Sequence, residues 1–158
     1  MIKMSSQRLK ILVTGTTSEN IEECIKLVDR LAGIDHRSQR TFSPLRILEI
    51  SLKNGYEVEI WNLLKPLIPV PEICLHEAHG LVLLSYDLPR NLVDRNKPNL
   101  LKADFPILWM VTERTSRYNP TLSGFNVHQL LYSVSDEESL QNELINWISK
   151  EVYPFSTV

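Results

Sequence analysis

The chain lacks the residues that mark small secreted, membrane-spanning or nucleic-acid-binding proteins. Cysteine occurs only twice in 158 residues, at Cys24 and Cys74. That is too few for a disulfide framework and fits a reducing compartment better than an oxidising one. No apolar run approaches the ~20 residues of a membrane-spanning helix. The opening MIKMSSQRLK carries charge but is not followed by the apolar core of a signal peptide. No prenylation box closes the sequence, which ends Ser156-Thr157-Val158. Basic charge is not in excess either: 17 Lys and Arg against 19 Asp and Glu leave a net charge of −2. A phosphate backbone calls for a basic face, so nucleic acid is not the expected partner. No internal repeat and no low-complexity tract occurs. The expectation is an intracellular chain of the cytoplasm or nucleus, forming one domain over 1–158 with its core at about 9–152.

What is present is a series of short aliphatic runs separated by helix and turn signals. Leu9 to Thr14 is a buried-strand run. Gly15-Thr16-Thr17-Ser18 forms a turn, with Thr17 or Ser18 suited to cap the helix that follows. That helix places Glu19, Glu22 and Glu23 near its start, and Ile21, Ile25, Val28 and Leu31 on one face. Asp35 to Pro44 is polar and is expected to be a loop. Pro66, Pro69 and Pro71 forbid a long regular helix, leaving a short helical segment near 73–78. Gly80 to Tyr86, Phe105 to Val111 and Phe125 to Ser133 are further strands. Residues 87–104, split by Pro98, allow only a short or broken helix, and 112–124 are a polar loop. Asp136 to Val152 is the clearest helix, capped by Ser135 or Asp136, with Leu140, Leu144, Trp147, Ile148 and Val152 in one stripe.

The most informative stretch is Leu45 to Leu64, where two apolar runs flank Asn54-Gly55. A three-residue loop of Lys53, Asn54 and Gly55, with Gly55 left-handed, sets Leu52 opposite Tyr56, Ile50 opposite Val58 and Leu48 opposite Ile60. One face of the ribbon is then wholly apolar. The other carries Ser51 and Glu57, Glu49 and Glu59, Ile47 and Trp61. A two-residue loop would mix the two faces, and burial of one face decides the register. The order β-α-ββ-(short α)-β-(α)-β-(loop)-β-α predicts an α/β, three-layer domain. Its six-stranded sheet is mostly parallel, with one antiparallel hairpin strand.

This order resembles the Ras-like small-GTPase family over about residues 9–152. LKILVTG resembles the first strand entering the phosphate loop, and VEIWNLL the third strand. AHGLVLLSYDL and FPILWMV are similar to the fourth and fifth strands, and YSVSDEESLQNELINWI to the last strand end and final helix. The family's chemical signatures are absent. A phosphate loop GxxxxGK[ST] uses glycine N–H groups, a lysine and a hydroxyl to hold phosphates and magnesium. Here Gly15 matches the first glycine. Asn20, Ile21 and Glu22 stand where the second glycine, the lysine and the Ser/Thr would be. The DxxG element falls on Asn62 to Lys65, NKxD on Thr112-Glu113-Arg114-Thr115, and the late Ser-Ala-Lys on Ser133-Val134-Ser135. The resemblance therefore implies a pseudo-GTPase, a small-GTPase-like P-loop fold with degenerate loops, no nucleotide cofactor and no catalysis. It implies a scaffold or assembly role, as in the clathrin-adaptor chaperones related to alpha- and gamma-adaptin-binding protein or the kinetochore subunit centromere protein M, with the former nearer in pattern. Its partner would be another protein, met through vesicle or adaptor trafficking.

Candidate sites follow. The outward hairpin face, Glu49, Glu57 and Glu59 with Ile47 and Trp61 as apolar anchors, is a candidate dock for a basic partner. Arg37, Arg40 and Arg46 form a basic group that is either a face for an acidic partner or a charged loop that aids solubility. Cys74, His76 and His79 lack HExxH spacing and a second Cys pair, so a polar helix is expected there rather than a zinc site. His36 and His128 have no nucleophile elbow to serve. An anion at Gly15 to Ser18 would meet three nearby glutamates. The alternative function is a divergent α/β nucleotide-processing enzyme, TIR-like or another Rossmannoid hydrolase, with Glu72, Glu77 or Glu113 as its acid. A receiver-like domain would need an acidic pair after the first strand, where Thr14-Gly15 stands.

Overall fold

A computed structural model describes residues 8–32, 36–42, 44–52, 55–67, 69–86, 92, 104–111, 125–131 and 137–156. The elements are β1 (Leu9–Gly15), α1 (Ser18–Ala32), β2 (His36–Phe42), β3 (Leu45–Ser51), β4 (Glu57–Leu63) and α2 (Glu72–Leu75). They continue with β5 (Gly80–Ser85), β6 (Phe105–Val111), β7 (Phe125–Leu131) and α3 (Glu137–Trp147), then a π-helical turn (Ile148–Val152) and α4 (Tyr153–Ser156).

The strands form one sheet in the order β2-β3-β4-β1-β5-β6-β7. The pairs β4–β1, β1–β5, β5–β6 and β6–β7 are parallel, and β2–β3 and β3–β4 are antiparallel. All six expected strands are present in one mostly parallel α/β sheet. The seventh, β2, corrects the sequence expectation of a loop over 35–44 and adds a second antiparallel pair. Its sequence, HRSQRTF, has no apolar alternation because an edge strand needs only backbone pairing on one side.

The hairpin register is the one argued from burial. Ile50 pairs with Val58, Leu48 with Ile60 and Ile47 with Trp61. The Leu52 N–H donates to Tyr56 O and the Gly55 N–H to Leu52 O, both at 2.9 Å. Gly55 has φ +91°, in the left-handed region that glycine favours. A one-residue slip would expose four buried aliphatic side chains, each contributing roughly 1.5–3 kcal/mol.

Alternation sorts the strands onto two faces. The first buries Ile11, Val13, Leu48 and Ile60 beneath α1 and the C-terminal helical segment. α1 contributes Cys24, Leu27 and Val28; Ile25, expected on its apolar face, lies at the margin. Leu144, Trp147, Ile148 and Val152 form the C-terminal stripe. Trp147 and Val152 come within 3.0 Å of where a Cβ on Gly80 would stand, so the helix packs directly on backbone there. The π turn carries the helix on to α4, where Tyr153 stacks on Tyr56 at the hairpin tip with centroids 5.0 Å apart. Phe155 meets Phe105 edge-on at the second face. That face buries Leu12, Leu63, Leu83 and Trp109 beneath Val70, Cys74, Leu75, Ala78 and Leu92. Most of residues 87–104 and all of 112–124, with their expected short helix and loop, lie outside the described residues.

Candidate functional site

In an open α/β sheet ligands bind beyond the carboxyl ends of the strands, where the chain order switches direction. Here β1 is that point, with β4 on one side and β5 on the other. The crevice position is the turn from Gly15 into α1. Only Thr16 and Thr17 separate Gly15 from the first residue of α1, Ser18. Thr17 caps the helix: its Oγ1 accepts from the Asn20 N–H at 3.1 Å and its carbonyl from the Ile21 N–H at 2.9 Å. One of the N–H groups that a helix start leaves for an anion, that of Asn20, is thus taken by the Thr17 side chain.

The residues replacing the phosphate-loop signature close the turn. A Cβ on Gly15 would stand 2.6 Å from Asn20 Cβ and 3.0 Å from the Asn20 carbonyl carbon. Asn20 Nδ2 donates to Thr16 Oγ1 at 3.2 Å. Ile21 is 3% exposed, an inward apolar residue where the family has a lysine. Glu22 is exposed on α1.

Asn62, at the first position of the replaced DxxG element, is fully buried. Its Oδ1 accepts from Arg46 Nη2 at 3.2 Å, and Arg46 Nη1 donates to Asp29 Oδ1 at 2.8 Å. Arg46 is buried, so the expected basic group does not present it to a partner. These bonds tie β3, β4 and α1 together.

The candidate docking residues lie on the second face, toward the hairpin. Ile47 is only 5% exposed and belongs to the core. Glu49, Glu57, Glu59 and Trp61 are half-buried. Glu49 and Glu59 share Arg8, whose Nη1 is 2.8 Å from Glu49 Oε1 and 3.7 Å from Glu59 Oε2. Ser51 Oγ donates to Glu57. Trp61 Nε1 donates to Glu59 Oε1 at 2.6 Å, and Lys10 Nζ sits 3.7 Å from the Trp61 ring centroid. Lys10 also donates to His76 O at 2.7 Å, joining β1 to the end of α2. Burial lowers the Lys10 ammonium pKa, against the opposing pull of Cys74, Glu59 and Glu77. Arg8, Lys10 and Ile73 had no signal in the sequence. Arg8 and Lys10 join this face because β1 lies parallel to β4 with Lys10 opposite Glu59, and Ile73 reaches it on α2.

Cys74 is buried while His76 is exposed, and His79 Nδ1 accepts from the Lys10 N–H at 2.9 Å. These residues do not converge. Among the described residues no group of three His, Cys, Asp or Glu is placed to hold a metal. Glu72 and Glu77 flank the same α2 segment, and Glu113 lies outside the described residues. Among the described residues no helix is long and apolar enough to cross a membrane.

No family model matches the sequence, and no curated protein matches it. Among solved structures, the chain is similar to the cytosolic domain of the T. maritima FeoB iron transporter in its apo form. The TM-score is 0.49 at 14% identity, over 90% of this chain and 64% of that one. A GDP form of the same domain gives 0.49 and 14% over 91% and 65%. The chain thus spans a little under two thirds of those structures.

Proposed function

We propose that this chain is a pseudo-GTPase, a non-catalytic member of the GTPase-like fold that acts as a protein-interaction or assembly module. The observation that carries the reading is the closed turn at Gly15. Asn20 packs against the glycine, the Thr17 cap takes the Asn20 N–H, and Ile21 replaces the phosphate-pairing lysine with a buried aliphatic side chain. A triphosphate there would have neither cradle nor cation, and Glu19, Glu22 and Glu23 would repel it. The Asn62–Arg46–Asp29 tie adds to this, since it leaves no carboxylate at the place of the magnesium-site aspartate. With the chemical site closed, function passes to the surface, and the hairpin face with Glu49, Glu57, Glu59 and Trp61 is the first candidate for partner contact. The strand strings shared in pattern with clathrin-adaptor chaperones support a role in vesicle or adaptor assembly in the cytoplasm. The test is thermal unfolding with GTP, GDP or ATP, each with magnesium. No change in midpoint is expected. A rise of several degrees at micromolar nucleotide would overturn the reading.

A further inference from the structure

Resting on that reading, we propose that the depression between β4 and α2 is a docking site for a peptide segment that presents an aliphatic side chain next to lysine or arginine. The depression has a volume of about 640 Å³ and is open to solvent. Its floor is Trp61 and its wall is Ile73 on α2, which is 72% exposed. Trp61 is held in one orientation before any partner arrives, by Glu59 at its indole N–H and by the Lys10 ammonium over its ring. A fixed aromatic beside an exposed aliphatic is the arrangement that supplies binding energy at little ordering cost. Lys10 also holds the wall in place through His76 O.

Charge selects the occupant. Glu59, Glu72 and Glu77 line the depression, and Glu49 stands beside Glu59 on the same sheet face. Among the described residues, the Lys and Arg side chains beside the depression are Lys10, engaged with Trp61 and His76 O, and Arg8, engaged with Glu49 and Glu59. Among the described residues, carboxylates outnumber these cations around the apolar floor, so an acidic segment is repelled and a basic one attracted. Arg8 also demonstrates the chemistry, because its guanidinium already bridges two of these carboxylates.

The test uses the full chain and heteronuclear NMR. The sequence has three tryptophans, and Trp109 and Trp147 are buried. The Trp61 indole signal, assigned with Trp61→Phe, therefore reports on the depression. The probe is a short amphipathic peptide of leucine and lysine, compared with its leucine and glutamate counterpart. The lysine peptide should shift the Trp61 indole and the Ile73 amide, more weakly at high salt, and the glutamate peptide should not. Ile73→Ser and Glu72→Lys should each weaken binding about tenfold. Unchanged Trp109 and Trp147 signals will show that these variants stay folded. The inference is overturned if the lysine peptide leaves Trp61 unmoved, if both peptides shift it equally, or if Ile73→Ser binds like the parent. It is also overturned if dilution alone moves the signal, which would make a second copy the occupant. The nucleotide experiment is independent: failure at the depression leaves the closed phosphate loop standing, and nucleotide binding refutes the pseudo-GTPase whatever the peptide does.

Discussion

Closure of the phosphate-loop position depends on one contact, and that contact can be weighed by a double-mutant cycle. Gly15 has no positive φ, so alanine can take up its backbone conformation, and the cost of Gly15→Ala comes from crowding alone. The new Cβ would meet Asn20 Cβ at 2.6 Å, the Asn20 carbonyl carbon at 3.0 Å and the Ile21 nitrogen at 3.2 Å. Overpacking against a fixed backbone costs about 1–3 kcal/mol, and a first contact this short places the expected loss near the top, at about 3 kcal/mol. Asn20→Gly removes the closest of the three atoms. By itself it should cost about 1 kcal/mol, from lower helix propensity and the lost hydrogen bond to Thr16. The double variant should lose about 2 kcal/mol, not the sum of about 4, which is a coupling of about 2 kcal/mol. Urea unfolding followed by tryptophan fluorescence measures all four corners, since Trp109 and Trp147 are buried. Additivity within about 0.5 kcal/mol would refute the direct contact, and with it the account of how the turn is closed. The double variant should still bind no nucleotide, because Ile21 remains where the lysine would be.

Three further outcomes follow from the packing. Gly80→Ala should lower stability by about 1–3 kcal/mol, because its Cβ would meet Trp147 and Val152 at 3.0 Å; near-ultraviolet circular dichroism should show the Trp147 environment change, and a neutral variant would mean the helix shifts freely. Asp29→Ala removes the carboxylate paired with buried Arg46, but the Asp29 side chain is 57% exposed, so the loss should be only about 1 kcal/mol by urea unfolding. A loss above about 3 kcal/mol would show that the ion pair behaves as a buried one. Burial pushes the Cys24 thiol from 9.0 up to about 12. The folded state then keeps a proton that the unfolded state releases, so this contribution is complete below pH 9 and is lost as pH rises from there toward about 12. The stability difference between the parent and Cys24→Ala should shrink over that window in urea titrations, and a constant difference would contradict it.

The sequence carried the fold wherever burial imposed a period. The hairpin register was legible because only one pairing puts Leu48, Ile50, Val58 and Ile60 on one face. β5 and β6 were legible as unbroken aliphatic runs because both their faces are covered. β2 was not, since an edge strand with a polar sequence is stabilised by backbone bonds that leave no apolar pattern. The stripe of α1 was displaced by one residue for a different reason: Cys24 is as apolar as its neighbours when buried, and it packs under Thr14 with its thiol 3.3 Å from the Thr14 carbonyl. The candidate surface was only half legible. Glu49, Glu59 and Trp61 share a face by alternation, but Arg8, Lys10 and Ile73 reach it through parallel pairing and through α2, which no local pattern encodes.

The two ends of the sheet diverge in a way that local chemistry explains. At the carboxyl ends of β1 and β4 the polar side chains are tied within the chain: Asn20 packs on Gly15 and bonds Thr16, and Asn62 bonds Arg46, which reaches Asp29. Such ties satisfy buried polar groups within the chain. Toward the hairpin, α2 has only four residues: Pro66, Pro69 and Pro71 keep it from starting earlier, and the extended His76 and left-handed Glu77 end it. The short helix stops at Ile73 to Leu75 and leaves Trp61 half-covered, with Ile73 exposed at its side. The same chain therefore packs its polar groups tightly at the turn after β1 and leaves Ile73 exposed beside Trp61 on the flank of the sheet.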